Sequence, residues 1–221
     1  MENGITAFIV CDQTVDTNSA VWECLESCGG FCDRMEVNFI SGDNGILDVI
    51  LEFRRLKRDF SVSFYDSVDE AFWNYNPTTT WTIVLFADEV CHEGSQHFFW
   101  DLVQRHGDEY DFAMIPVRMV FRSDSRDSGR AVTFDDSRLI KSDVMKDFHW
   151  NGVEFDYKET FRIVPSSLCP KPIWKMRTST TVNDGYGEYI PLDPTVIDVP
   201  AGIKRIVGRR TYTLPYLLVG D

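Results

Sequence analysis

The sequence predicts an α/β protein with a mixed, mostly parallel central sheet flanked by helices and an antiparallel extension in its second half. Two observations carry this. Apolar runs alternate with amphipathic stretches over residues 1–106, the pattern of strands and crossover helices. Beyond residue 110 the apolar runs become short and helical periodicity fades. Ile5–Val10 is a continuous apolar run and reads as a buried strand. Ser19–Ser27 reads as a helix with Trp22, Leu25 and Cys28 on one face, stopped at Gly29-Gly30. Met35–Ile40 alternates as a second strand, and Ser41–Gly45 is a turn. Ile46–Lys57 has helical apolar spacing. Ser61–Tyr65 is a short strand, Val68–Tyr75 a helix and Trp81–Phe86 a buried strand. Gln96–His106 reads as a helix turning Phe98, Phe99, Leu102 and Val103 inward. Downstream, Phe112–Phe121 is a strand interrupted by Pro116. Ser123–Gly129 is a polar loop. Val132–Phe134, Leu139–Ile140, Phe161–Val164 and Ile173–Thr181 are short strands.

Composition narrows the function. With 221 residues and 43% hydrophobic content, the expectation is one domain spanning 1–221. A net charge of −13 makes nucleic acid a poor partner. Two basic clusters, Arg54–Arg58 and Lys204–Arg210, read as solvated faces. No transmembrane run and no signal peptide are seen, so a cytoplasmic location is expected. The oligomeric state is not legible. Cys24, Cys28 and Cys32 recur every four residues without a C-x-x-C pair, so buried small apolar residues are expected rather than a zinc site. There is no G-x-S-x-G elbow, P-loop or G-x-G-x-x-G.

Ligands of parallel sheets bind beyond the carboxyl ends of the strands. The loops at those ends, Cys11–Ser19, Ser41–Gly45 and Ala87–Gly94, are rich in Asp, Glu, Ser or Gly. Asp12 there either holds a ligand or caps the helix that follows. Asp43 either holds a ligand or closes an Asx-turn. Asp88 and Glu89 form either a hard-cation site or a charged strand end, with Cys91 and His92 nearby.

The order of these pieces resembles family 2 glycosyltransferases. The residues that carry the resemblance are Ala7–Asp12, Glu23-Cys24-Leu25-Glu26-Ser27, Asp33–Val37, Ser41-Gly42-Asp43-Asn44-Gly45 and Trp81–Glu89. The resemblance covers about the first half of the chain. It implies a GT-A fold, the nucleotide-diphospho-sugar transferase fold, with residues 1–110 as the nucleotide-sugar half. Residues 111–190 would form the acceptor side and 191–221 a proline-containing tail. Asp12 and Asp43 would accept hydrogen bonds from base and ribose. Asp88, with Glu89 beside it, would hold Mn²⁺ or Mg²⁺ against the diphosphate. Phe86 stands at the first Asp of the family's D-x-D element, which is degenerate here.

The implied activity is transfer of a sugar from a UDP- or GDP-sugar to a hydroxyl of a glycan or other acceptor. The alternative is a catalytically silent relative used in binding or assembly. An inverting transfer needs a general base. Asp136, of the pair Asp135-Asp136, and Glu154, with Asp156, are the candidates, each also readable as a solvated loop charge. Arg118, Arg122, Arg138 and Lys141 are candidate diphosphate clamps, and His149-Trp150 a candidate sugar platform.

Overall fold

Strand β1 (Glu2–Cys11) is buried along nearly its whole length, as a strand at the centre of a covered sheet must be. Ile5, Ala7, Ile9 and Cys11 enter one core; Phe8 and Val10, at the alternate positions, enter another. The structure is a computed structural model. It describes residues 1–12, 18–40, 44–57, 59–121, 128–151, 155–177, 197–198, 203–207 and 210–214.

After β1 the chain runs through α1 (Asn18–Gly29), β2 (Arg34–Phe39), α2 (Asn44–Arg54), β3 (Phe60–Phe64), α3 (Val68–Asn74) and β4 (Thr79–Phe86). Next come β5 (Glu89–Cys91), α4 (Glu93–His106), β6 (Phe112–Phe121) and β7 (Ser128–Lys141). The short strands β8 (His149–Trp150), β9 (Phe155–Asp156) and β10 (Ile163–Val164) precede β11 (Ile173–Arg177). Strand β12 (Ile197–Asp198) pairs with β7, and β13 (Ile203–Val207) with β14 (Arg210–Leu214).

The main sheet has the order β3-β2-β1-β4-β7-β6-β11-β5. Strands β3, β2, β1 and β4 are mutually parallel. Strand β7 runs antiparallel between β4 and β6, and β11 is parallel to β6. Helices α1, α2 and α4 cover one face through Val21, Trp22, Leu25, Ile46, Ile50, Phe53, Phe99 and Leu102. Trp22 meets Phe53 edge-on at 5.2 Å, which joins α1 to α2. Helix α3 and the turn at 142–147 cover the other face through Ala71, Phe72, Tyr75 and Met145. Ser67 caps α3, its Oγ accepting from the Glu70 N–H at 3.1 Å.

Three differences from the sequence reading have physical causes. Pro116 does not break β6. It sits opposite Asp135 of β7, and on the other edge it falls in the gap between β10, which pairs at Phe112–Ala113, and β11, which pairs from Val117. The segments Val132–Phe134 and Leu139–Ile140 belong to one 14-residue strand, β7. The polar stretch between them is buried within the strand, where Asp136 accepts from the Ser137 N–H and pairs with Arg138. The loop after β4 contains strand β5, fixed by pairing with β11, which lies some eighty residues later in the chain. Asp135 and Asp136 therefore stand on a strand and not in a loop.

Candidate active site

The site forms where the parallel strands end. The Ile40 N–H donates to the Cys11 carbonyl and the Ala87 N–H to the Val10 carbonyl, each at 2.8 Å. The loops after β1, β2 and β4 thus leave the sheet side by side. Asp12 follows β1 directly and is half-buried. Asp88 lies in the tight turn after β4, and Glu89 opens β5. Asp43 and Glu154 lie outside the described residues, as does Arg122.

Asp88 and Glu89 are both 0% exposed. A buried carboxylate needs a partner. Glu89 Oε2 accepts from the Phe86 N–H at 3.0 Å, closing the turn. Glu89 Oε1 accepts from Arg138 Nη2 at 2.9 Å and from Lys175 Nζ at 3.1 Å. Lys175 Nζ also pairs with Asp88 Oδ1 at 3.2 Å. Arg138 Nη2 pairs with Asp136 Oδ2 at 3.1 Å. Among the described residues this makes one buried network of three carboxylates and two cations.

The fold sets each partner. Lys175 stands directly opposite Glu89 in the β11–β5 ladder. Arg138 is a bulge residue: Ala113 pairs with Leu139 and Met114 with Ser137, so the register skips Arg138. A bulge re-aims a side chain, and here it brings the guanidinium to the end of β4. Phe86 supplies a platform. Lys175 Nζ lies 4.4 Å and Arg138 Cζ 5.2 Å from its ring centre, and Arg138 also lies 5.8 Å from Phe155. Arg138 Nε and Nη1 make no hydrogen bond among the described residues; these aromatic faces take their place. Trp150 packs at 4.8 Å on both Phe86 and Phe155, a core role rather than an open sugar platform.

The carboxylates titrate in opposite directions. Burial pushes Glu89 up, but Arg138, Lys175 and the Phe86 N–H outweigh it and hold the group below the usual carboxylate range. Burial pushes Asp136 up, the charge of Glu89 adds to this, and Arg138 opposes it without cancelling it. Asp136 Oδ1 accepts from the Ser137 N–H at 2.8 Å and from the Phe155 N–H at 3.4 Å. Asp136 is one of the residues bounding a cavity of about 450 Å³, with Met114, Asp135, Ser137, Phe155, Asp156 and Tyr157. Asp135 and Asp156 are exposed there; Asp135 accepts from Ser166 Oγ at 2.6 Å.

Other candidates take structural places. Arg118 lies over Trp174 at 5.1 Å, and Lys141 ends β7, half-buried. His149 pairs with Asp69 at 3.0 Å. His92 caps α4, its Nδ1 accepting from the Gly94 N–H at 2.9 Å. Cys24, Cys28 and Cys91 are buried free thiols. Lys175 carried no signal in the sequence: a lysine in a short strand 86 residues from Glu89 looks like any other.

The carboxylates of Asp88 and Glu89, expected to hold a divalent cation, are paired with protein cations. Mg²⁺ takes about six oxygen ligands, one or two of them protein carboxylates and the rest waters and phosphates, so the engagement of those carboxylates decides the site. Asp88 Oδ1 already faces Lys175, and Glu89 Oε1 faces both Lys175 and Arg138. A divalent ion about 4 Å from the ammonium would meet a repulsion on the order of 8 kcal/mol at an effective dielectric of about 20. Among the described residues no group of three or more His, Cys, Asp or Glu is arranged to hold a metal ion.

No protein-family profile and no curated protein sequence matches this chain. Solved structures do match it. S. aureus TarS, residues 1–349, superposes with a TM-score of 0.50 at 14% identity, covering 80% of this chain and 60% of that one. The fold is GT-A-like. The chain spans only 60% of the TarS fragment. HddC from Yersinia pseudotuberculosis gives 0.49 at 10% identity, covering 73% and 89% of the two chains. A Desulfovibrio desulfuricans protein assigned to the nucleotide-diphospho-sugar transferases gives 0.44 at 11% identity, covering 83% and 85%. No helix among the described residues of this GT-A-like chain is long and apolar enough to cross a membrane.

Proposed function

We propose that the protein transfers a sugar from a nucleoside-diphosphate sugar, a UDP- or GDP-sugar, to an acceptor hydroxyl. The observation that carries this is Asp136. It is a buried carboxylate with a raised pKa in the wall of a cavity, level with the carboxyl ends of the parallel strands of a GT-A-like sheet. That is where such sheets take ligands, and a base with a raised pKa suits work near neutral pH.

On this reading the donor lies across the ends of β1, β2 and β4. Asp12, and Asp43 in the loop after β2, accept hydrogen bonds from the nucleoside. The acceptor enters the 450 Å³ cavity, where carboxylates can take hydroxyl hydrogen bonds beside the faces of Phe155 and Tyr157. Asp136 takes the proton of the attacking hydroxyl. The bond from the acceptor oxygen to the anomeric carbon forms as the bond to the diphosphate breaks, and the nucleoside diphosphate leaves with the electron pair. Arg138 keeps Asp136 ionised enough to act, and burial keeps it basic enough.

A second reading is favoured by one specific observation. The carboxylates Asp88 and Glu89, which follow Phe86 where the resemblance calls for an Asp, are enclosed with Lys175 and Arg138. A chain in which this corner only stabilises the fold would bind without transfer. Incubating the purified protein with UDP- and GDP-sugars and a panel of glycan acceptors separates the two. Turnover that is lost in a folded Asp136→Asn variant supports the transferase; saturable nucleotide binding without any turnover supports the silent protein.

A further inference from the structure

We infer that Lys175 is a resident cation that closes the end of β4 to divalent metal, so that ligand binding at this edge does not depend on Mn²⁺ or Mg²⁺. The second half of this statement rests on the nucleotide-sugar reading; the first does not.

An ammonium group has three N–H donors. Lys175 directs its charge at three things: Asp88 Oδ1 at 3.2 Å, Glu89 Oε1 at 3.1 Å and the Phe86 ring face at 4.4 Å. Two of these are the carboxylates that the sequence reads as metal ligands. The third replaces the remaining carboxylate of the D-x-D element. Phe86 and Lys175 therefore suit one another at this strand end. An aromatic ring cannot ligate a hard cation, but it attracts an ammonium. Lys175 is held there by backbone as well as by charge, since it stands opposite Glu89 in the β11–β5 ladder and is only 6% exposed. Arg138 occupies the other side of Glu89 Oε1 at 2.9 Å, which leaves that oxygen between two cations.

Removing the lysine should expose what it covers. Asp88 and Glu89 would then lose the cation they share, leaving Arg138 on Glu89 and the volume of the lysine side chain beside both carboxylates. The test is Mn²⁺ binding to the purified full chain, read by loss of the free-ion electron paramagnetic resonance signal, with no nucleotide present. Wild type is expected to bind no more Mn²⁺ than Asp88→Asn. Lys175→Ala is expected to gain one Mn²⁺ per chain with at least ten-fold higher affinity than wild type, and Lys175→Ala with Asp88→Asn to lose it again. Wild-type binding that drops ten-fold in Asp88→Asn overturns the inference, and so does a folded Lys175→Ala that gains nothing. If Lys175→Ala does not fold, Lys175→Met, which keeps the apolar stem, and the wild-type titration decide it. A parallel titration with UDP and GDP in EDTA keeps the two ideas apart. No nucleotide binding in any buffer defeats the functional reading and leaves the Mn²⁺ result standing; binding that appears only with Mn²⁺ defeats the inference and leaves the functional reading standing.

Discussion

Replacing Arg138 with Met should cost the protein about 3–5 kcal/mol at neutral pH, the usual penalty for breaking a buried ion pair from one side. The structure shows where the cost falls. Arg138 holds Glu89 at 2.9 Å and Asp136 at 3.1 Å, and it is 1% exposed. Glu89 would keep Lys175 and the Phe86 N–H. Asp136 would lose the only cation it faces among the described residues, keeping two N–H donors. The methionine stem would replace the apolar part of Arg138 against Phe86 and Phe155. At roughly 2–4 °C per kcal/mol for a chain of this size, the thermal midpoint should fall by about 6–20 °C. The pH dependence identifies the cause. Asp136 has a raised folded pKa, and losing Arg138 raises it further. Such a group contributes stability fully present below its unfolded pKa of about 3.9, and lost as pH rises through the folded value. The gap between variant and wild type should therefore be widest at pH 7.5 and should narrow toward pH 5. Glu89 has the opposite sign: its lowered pKa gives stability that is lost only as pH falls through that value, below the window used. Urea unfolding of both proteins at pH 7.5 and pH 5 measures this. A variant within about 1 kcal/mol of wild type at pH 7.5, or a gap that widens at pH 5, refutes the reasoning.

Other expectations follow from the same geometry. Asp136→Asn keeps an acceptor for the Ser137 and Phe155 N–H groups, so it should fold while transfer falls about 10²–10⁴-fold in a donor-turnover assay. In wild type the acid limb of kcat/KM should lie above the range of an ordinary carboxylate, because the base acts only when deprotonated and burial raises its pKa. Asp12→Ala should weaken nucleotide binding by roughly 10- to 150-fold in calorimetry, the loss of one hydrogen bond to a charged group. Ser67→Ala removes the acceptor for the Glu70 N–H and should cost about 0.5–2 kcal/mol in urea, with donor binding unchanged.

The alternation of strands and helices was plain in the sequence because each element carries its own pattern. Ile5–Val10 is apolar on both faces, as its place between β2 and β4 demands. The places of Asp12, Asp88 and Glu89 just after strands were legible because position after a strand is a local property. What stayed hidden depends on pairing. Strand β5 has three residues and no pattern of its own; its partner is β11. Strand β7 looked like two fragments because Asp136, Ser137 and Arg138 interrupt its apolar run, and their burial makes sense only once Glu89 is opposite. The bulge that aims Arg138 is a matter of register against β6. Phe86 reads in the sequence as the apolar end of a strand. Its role as the face on which two cations rest needed Lys175, which lies 86 residues from Glu89.

The most direct test is calorimetric titration of the wild-type chain with UDP, GDP and UDP-glucose in EDTA. Saturable one-to-one binding of one nucleotide, weakened in Asp12→Ala and unchanged by added Mn²⁺, is the expected result. A folded protein that binds none of the three, with or without Mn²⁺, would contradict the assignment of this edge of the sheet to a nucleotide sugar.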